Sequence, residues 1–278
     1  MRRQECLRPK KMMNRIEKKF KELREKNQAA LVLYITAGDP DLETTEQIIL
    51  TLADAGADII ELGIPFTDPT ADGPTIQAAS MRALKNRFNL EDIFTMVERV
   101  RSQSRIPLLL FSYYNPIFKF GEERAVSLAQ ESGVDGMLIV DLPPEESKNL
   151  RKLCRRAGLD LIHLATPTSD QSRLKLIAKS SSGFIYYVSV TGITGARADL
   201  PADIKDHINL IKQVSDLPIA VGFGVSNPAQ AKMLAQIADG VVIGSALVSI
   251  IEKFSASPDL LPQIRKFCSE IKSALVKA

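Results

Sequence analysis

The chain has 278 residues, of which 45% are hydrophobic and 25% are charged, and its formal net charge is +3. This composition is typical of a globular domain, and no apolar run approaches the roughly 20 residues that a membrane-spanning helix needs. Three widely separated cysteines, Cys6, Cys154 and Cys268, match neither a disulfide framework nor a zinc motif, so we expect the reducing environment of the cytoplasm. The basic segment 1–12 has no interleaved aromatic residues, and we expect a disordered extension rather than a nucleic-acid-binding arm.

Apolar periodicity predicts alternating helices and strands from residue 13 onward. Ile16, Phe20 and Leu23 recur at helical spacing and predict an amphipathic helix over 14–25. Nearly continuous apolar runs predict strands buried on both faces, as in a parallel sheet, at 30–36, 58–62, 107–111, 136–140, 160–164, 183–189, 218–221 and 240–243. Further helices are predicted at 42–55, 76–84, 91–101, 122–132, 145–157, 171–179, 202–214, 228–237, 246–254 and 260–277. The segment Tyr113-Tyr114-Asn115-Pro116 is predicted to be a loop.

Eight strands, each followed by a helix, predict parallel pairing through right-handed crossovers. At this chain length the pattern favours one α/β domain over residues 13–278, a (β/α)8 TIM barrel with an extra N-terminal helix. The alternative is an open, doubly wound sheet. That fold would require a Gly-x-Gly-x-x-Gly turn after the first strand, where this chain has Ala37-Gly38-Asp39-Pro40.

Candidate catalytic carboxylates lie at the end of the second predicted strand and in the loop after it. Glu61 lies where the strand ends, Asp68 and Asp72 follow in a proline-rich segment, and Thr75 is predicted to cap the next helix. In barrels the chemistry takes place at the carboxyl ends of the strands. Burial there would raise the pKa of Glu61 and let it exchange protons near neutral pH, while Asp72 could bind an N–H that gains positive charge. The alternatives are a salt-bridged rim acid at Glu61 and a loop-capping residue at Asp72.

Glycine-rich turns after the last three predicted strands indicate a phosphate site. They are Gly192-Ile193-Thr194-Gly195, Gly222-Phe223-Gly224 and Gly244-Ser245. Glycine lets backbone N–H groups approach an anion, and helix N-termini add partial positive charge. The alternative is that these glycines only serve tight turns. The rest of the pocket is expected to be apolar, and its candidate residues, which could equally fill the core, are Tyr34, Phe111, Leu138, Ile162, His163, Tyr186, Phe223 and Ile243.

The run Glu-Leu-Gly-Ile-Pro-Phe-Thr-Asp-Pro-Thr-Ala-Asp-Gly-Pro-Thr-Ile-Gln at 61–77 resembles the signature of the tryptophan synthase alpha chain family. The segments at 36–40, 113–116, 141–146, 192–195, 222–225 and 244–246 are similar to that family as well, and the resemblance extends from residue 14 to the C-terminus. It implies retro-aldol cleavage of indole-3-glycerol phosphate to indole and glyceraldehyde 3-phosphate. Glu61 would be the general acid and base, and Asp72 would stabilise the charged indole N–H.

The resemblance also implies a set of binding residues and a partner. Tyr34, Phe111 and Phe223 would line the indole pocket, Tyr186 would lie beside the substrate, Thr194 would order a loop over the site, and Gly195, Gly224, Gly244 and Ser245 would bind the phosphate. The implied partner is a beta chain in an alpha2-beta2 heterotetramer, with pyridoxal phosphate in the beta chain and no cofactor in this one. Thr70, Tyr34 and Val190 depart from some members.

Two other functions stay open from the sequence. A different phosphate-binding barrel enzyme would need a lysine at a strand end, and none of the predicted strands ends in one. A non-catalytic barrel that only activates the beta chain would have no need of both Glu61 and Asp72.

Overall fold

The computed structural model describes residues 13–188, 202–222 and 224–277, so the predicted extension at 1–12 lies outside the described residues. The strands are β1 (Ala30–Thr36), β2 (Ile59–Gly63), β3 (Leu108–Ser112), β4 (Gly136–Ile139), β5 (Asp160–Ile162), β6 (Leu164–Ala165), β7 (Ile185–Val188), β8 (Ile219–Gly222) and β9 (Gly240–Ile243). The helices are α1 (Arg15–Glu25), α2 (Leu42–Asp54), α3 (Pro74–Ala83), α4 (Leu90–Gln103), α5 (Tyr114–Phe120), α6 (Glu122–Ser132), α7 (Lys148–Ala157), α8 (Gln171–Ser180), α9 (Ala202–Lys212), α10 (Pro228–Ala235), α11 (Ser245–Phe254) and α12 (Leu260–Ser273), with a 3-10 turn at Leu84–Asn86.

The sheet closes on itself. Its strands pair in parallel in the order β5-β4-β3-β2-β1-β9-β8-β7-β6, and β5 and β6 are separated in sequence by His163 alone. β5 pairs with β4, and β6 pairs with β7. The predicted eight-stranded barrel is therefore confirmed, and the ninth strand arises because the fifth predicted strand changes partner at His163.

Two layers of apolar side chains stabilise the barrel. Residues that alternate along the strands point inward and form one cluster, which includes Val32, Ile59, Leu109, Leu138, Ile162, Phe184 and Val242. The intervening strand residues pack against the surrounding helices in a much larger cluster. Helix α1 joins the inner cluster, where the rings of Phe20 and Phe184 lie 5.5 Å apart. Asn14 and Arg15 contact Asp135, which precedes β4, and Asn14 also contacts Asp160 at the start of β5, so α1 closes the amino-terminal end of the barrel.

Three local predictions were wrong, and proline chemistry explains two of them. Helix α5 begins at Tyr114, inside the predicted loop; Pro116 is its third residue, where no N–H is needed for an intrahelical bond. Thr75 is not an N-cap, because Pro74 is the first residue of α3 and Gly73 occupies the cap position. The helix predicted from residue 145 begins at Lys148, since residues 143–147 form a tighter turn in which Glu146 N donates to Pro143 O at 3.0 Å.

No helix in the described ranges is long and apolar enough to cross a membrane. The described residues also contain no group of three or more His, Cys, Asp or Glu side chains that could hold a metal ion.

Candidate active site

Glu61 lies inside the barrel, two residues before the carboxyl end of β2, between Tyr34 of β1 and Leu109 of β3 in the pairing register. Its side chain is 1% exposed, and neither carboxyl oxygen has a hydrogen-bond partner among the described residues. Burial raises the pKa of Glu61 to about 8. An unpaired, buried carboxyl group is rare in folded proteins because it costs stability, so its presence indicates a functional role.

Asp72 lies in the loop between β2 and α3. Its backbone is held by two hydrogen bonds, from Asp72 N to Pro69 O at 3.0 Å and from Gln77 Nε2 to Asp72 O at 2.8 Å. Burial raises the pKa of Asp72 to about 6, while the Tyr113 hydroxyl acts in the opposite direction. Asp68 is exposed on the same loop and accepts a hydrogen bond from the Thr67 hydroxyl at 2.6 Å. The two candidate acids of this loop therefore lie in different environments.

Aromatic side chains lie around Glu61. Tyr34 is buried, and its ring meets the Phe111 ring edge-on with centroids 5.2 Å apart. Burial and the neighbouring Glu61 raise the pKa of Tyr186 well above its usual value. Gly63 was not predicted to matter, but a Cβ there would lie 2.1 Å from the Tyr34 hydroxyl oxygen. A glycine that alternates with inward-facing residues of a strand is the sequence signal for such a close approach.

The other pocket candidates divide between interior and exterior. Leu138 and Ile162 belong to the inner cluster of the barrel, whereas Ile243 packs on the outer side against the helices. His163 is buried, with Nε2 3.1 Å from the Ser147 hydroxyl and Nδ1 3.4 Å from the Ser181 hydroxyl. Burial lowers the pKa of His163 to about 4. His163 is thus a satisfied core residue rather than a wall of the pocket.

Two of the three glycine-rich turns meet at one edge of the barrel. Strands β8 and β9 pair with Gly222 opposite Val242, so Gly224 and Gly244 each follow this pair by two residues. Gly224 has a φ of +66°, with no heavy atom within 4 Å of an added Cβ. Exposed Ser245 begins α11, whose cap residue Gly244 makes no side-chain cap. The N–H groups of this helix end are thereby open to an anion.

The remaining site predictions lie outside the described residues: Thr194, Gly195 and Phe223. The positive φ of Gly224 is by itself a reason for glycine at that position, as the tight-turn alternative proposes. Gly244 has a negative φ, so its backbone conformation does not require glycine.

The described groups can carry out acid and base chemistry on a largely apolar molecule. A neutral carboxyl group at Glu61 can donate a proton, and its conjugate base can take one back. A carboxylate at Asp72 can stabilise a positive charge that develops nearby. The open helix end at Ser245 can bind an anionic group of the same molecule.

Comparison with known proteins places the chain in one family. A family model described as tryptophan synthase alpha chain matches residues 20–276. The tryptophan synthase alpha chain of Geobacter sp. (strain M21) is 50% identical over 265 residues, which cover 95% of this chain and 99% of that protein. The corresponding protein of Geotalea uraniireducens (strain Rf4) is 51% identical over 263 residues, covering 95% and 98%.

Solved structures agree. Tryptophan synthase subunit alpha from Legionella pneumophila superposes with a TM-score of 0.88 at 38% identity, covering 95% of this chain and 98% of that one. A chain of tryptophan synthase from M. tuberculosis gives a TM-score of 0.86 at 32% identity, covering 95% and 100%. The chain therefore belongs to the tryptophan synthase alpha chain family.

Proposed function

We propose that this chain cleaves indole-3-glycerol phosphate to indole and glyceraldehyde 3-phosphate by a retro-aldol reaction. The alpha chain family consists of lyases, in agreement with a carbon–carbon cleavage. The observation that carries the proposal is Glu61, a buried carboxyl group without a hydrogen-bond partner in the described residues and with a pKa raised to about 8. At neutral pH such a group is largely protonated and ready to act as an acid.

The reaction uses Glu61 twice. Its neutral carboxyl group first protonates the indole ring carbon that bears the glycerol chain, and the ring becomes a positively charged indoleninium. The Glu61 carboxylate then removes the proton of the adjacent glycerol hydroxyl. The O–H electrons form the aldehyde C=O bond, the C–C bond breaks, and its electrons neutralise the ring. Glu61 ends the cycle protonated, as it began.

Asp72 supports the charged intermediate. When the ring carbon is protonated, the indole N–H gains positive character, and an ionised Asp72 stabilises it by accepting a hydrogen bond. With a pKa of about 6, Asp72 is mostly ionised at neutral pH while Glu61 is mostly protonated. The different environments of the two acids therefore suit their two roles.

The remaining residues are assigned to binding. Tyr34 and Phe111 would contact the indole rings together with Phe223, and Tyr186 would lie beside the reacting atoms. Gly224, Gly244 and Ser245 would bind the phosphate with Gly195, and Thr194 would order the loop over the site. The edge-on pair of Tyr34 and Phe111 and the uncapped start of α11 support these assignments.

The chain would form an alpha2-beta2 heterotetramer with a tryptophan synthase beta chain, and the indole product would pass to that beta chain. There it would condense with serine, and pyridoxal phosphate would belong to that partner, leaving this chain without a cofactor. Similar solved structures are those of tryptophan synthase from M. tuberculosis, which supports a common assembly. The cytoplasmic location stays a prediction from cysteine usage.

The test is release of indole from indole-3-glycerol phosphate by the isolated chain. Glu61→Gln is expected to abolish release while the substrate still binds, because an amide of the same shape can neither donate the proton nor take one back. Turnover at the normal rate in this variant would refute the assignment.

Asp72→Asn tests the second acid, and Asp68→Asn is its matched control on the same loop. We expect Asp72→Asn to lower the rate by about 100-fold, since a charge-assisted hydrogen bond in the transition state is lost. Asp68 is exposed, and its loss should leave the rate of the isolated chain unchanged. If Asp72→Asn kept the rate of the parent chain, as Asp68→Asn is expected to do, a role for Asp72 at the indole N–H would be excluded.

A further inference from the structure

Tyr113 links the carboxyl end of β3 to the loop that carries Asp72. It follows β3 directly and is 3% exposed. Its hydroxyl oxygen accepts a hydrogen bond from the backbone N–H of Ala71 at 2.8 Å. Its ring lies against Phe66, with centroids 5.4 Å apart and an interplanar angle of 35°. One side chain therefore contacts both the beginning and the end of the loop.

The backbone on which Tyr113 lies is well anchored. The Ser112 hydroxyl donates to Tyr113 O at 2.8 Å, and Val140 N donates to Ser112 O at 2.9 Å. On the other side, Tyr114 N donates to the Asp141 carboxylate at 2.7 Å. These bonds connect the backbone on both sides of Tyr113 to the residues that follow β4, so its side chain extends from a well-anchored part of the barrel.

The loop has few contacts of this kind. Within it, Thr70 N donates to Asp68 O at 2.9 Å and Asp72 N donates to Pro69 O at 3.0 Å, which only tighten the turn. Gln77 reaches back to Asp72 O from α3, the helix that the loop itself leads into. The bond from Ala71 N to Tyr113 is thus a connection from near the end of the loop to the residue that follows β3.

The electrostatics agree with this geometry. The interaction with the Tyr113 hydroxyl lowers the pKa of Asp72, against the effect of burial. Burial and the negative charge of Asp72 in turn raise the pKa of Tyr113, so the phenol stays protonated at neutral pH. A phenol hydroxyl has one proton to donate and lone pairs to accept with. The Tyr113 hydroxyl can therefore accept a hydrogen bond from Ala71 N and at the same time favour the ionised form of Asp72.

We propose that Tyr113 is a positioning residue for the retro-aldol reaction, whose hydroxyl holds the loop so that an ionised Asp72 faces the indole N–H. The inference rests on the proposed function, because Asp72 has this role only if the chain cleaves indole-3-glycerol phosphate. Tyr113 itself exchanges no proton with the substrate and acts through Asp72.

The experiment compares Tyr113→Phe with Tyr114→Phe in the isolated chain. Tyr113→Phe keeps the ring and its contact with Phe66 and removes only the hydroxyl. We expect kcat for indole release to fall about tenfold and KM to stay within about twofold, since Asp72 interacts most strongly with the charged intermediate. Tyr114 is the matched control, because its hydroxyl lies 3.2 Å from Glu122 and away from the loop. Its loss should leave kcat unchanged.

A double-mutant cycle separates positioning from a general structural effect. In an Asp72→Asn background, Tyr113→Phe should change kcat by less than about twofold, because the group it positions is already absent. The thermal unfolding midpoint of Tyr113→Phe is measured alongside and should match that of the parent chain within a few degrees. A full tenfold loss in both backgrounds, or a kcat loss that follows a lowered unfolding midpoint, would overturn the proposal.

The outcomes also distinguish this inference from the proposed function. An active parent chain with an equally active Tyr113→Phe variant would overturn the role of Tyr113 alone. A parent chain that releases no indole would overturn the retro-aldol assignment and, with it, the positioning role.

Discussion

Glu61 shows how burial of a single carboxyl group raises its pKa at a cost in stability. It has hydrophobic neighbours on both adjacent strands, and its carboxyl oxygens have no partner among the described residues. Burial of this kind disfavours the ionised form in the folded chain only. The same feature that makes Glu61 an acid near neutral pH should therefore make the protein less stable there.

This trade-off gives a stability prediction for Glu61→Gln. The pKa of Glu61 is about 8 in the folded chain, whereas an unfolded chain titrates near about 4.3. Between these values the folded state binds more protons, so the free energy of unfolding falls as the pH rises and levels off above pH 8. The variant has no such group. Its stability advantage should therefore be small at about pH 5 and grow to at most about 5 kcal/mol above pH 8.

Urea unfolding of the parent chain and the variant at both ends of this pH range measures the effect. Glu270→Gln is the control, because Glu270 is exposed on α12 and its loss should give no pH-dependent difference. A constant difference between parent and Glu61→Gln at all pH values would show that ionisation of Glu61 is not coupled to folding.

Single residues could be predicted as candidates where their position in an element indicates a role. Glu61 and Asp72 follow from a strand end and the loop after it. Gly63 and Tyr113 did not, because their importance comes from contacts with Tyr34 and Ala71, which lie on other elements. Local sequence carries little information on such contacts.

At the scale of elements, three strands are each preceded by an aspartate whose carboxylate bonds a neighbouring strand. Asp58, Asp135 and Asp239 lie just before or at the start of β2, β4 and β9. Each carboxylate accepts a hydrogen bond from a backbone N–H near the start of a neighbouring strand: Leu31 at 2.8 Å, Leu108 at 2.9 Å and Ile219 at 3.0 Å. These bonds fix the register at the amino-terminal end of the barrel, where residues contribute to stability rather than catalysis.

The most buried of these three aspartates should contribute most to the free energy of unfolding. Asp135 has a side chain that is 4% exposed, and it pairs with Arg101 at 2.9 Å and Arg15 at 2.8 Å. Asp135→Ala removes the carboxylate that two cations and Leu108 N share, and we expect a loss of about 3–5 kcal/mol in unfolding free energy. Asp239 is 27% exposed and lies 3.7 Å from Lys277.

Asp239→Ala is therefore the matched variant, with an expected loss of about 1 kcal/mol. Chemical denaturation of both variants gives the comparison. Similar losses at the two sites would mean that burial of the ion pair does not set the contribution.

The elements themselves were predicted closely where a long apolar run marks a strand buried on both faces. The predicted first and last strands, 30–36 and 240–243, coincide with β1 and β9. Helix α5 was missed because Asn115 and Pro116 are typical of loops, and only the position of Pro116 in the first turn makes a helix possible there. Residues such as Asn and Pro occur both in loops and in the first turn of helices, so the ends of elements were less predictable than their existence.

Across the whole molecule, the two ends of the barrel differ in structure. Glu61, Tyr34 and the turns at Gly224 and Gly244 lie toward the carboxyl ends of the strands. The opposite end is closed by α1, whose residues Ile16, Phe20 and Leu23 join the inner cluster. The barrel could be predicted from the alternation of strands and helices alone, but the position of α1 could not, because periodicity shows only that one face of a helix is buried.

Closure of this end by α1 leads to a prediction that separates stability from activity. Phe20 is 5% exposed, and its ring meets Phe184 inside the barrel. Phe20→Ala should leave a cavity and lower the unfolding free energy by about 3–5 kcal/mol. Glu61 and Asp72 lie at the other end, so indole release per folded molecule should stay the same. Lys18→Ala on the exposed face of α1 is the control and should change neither quantity. If the rate per folded molecule fell together with stability in Phe20→Ala, the two ends would be coupled, and α1 would have to be counted as part of the catalytic machinery.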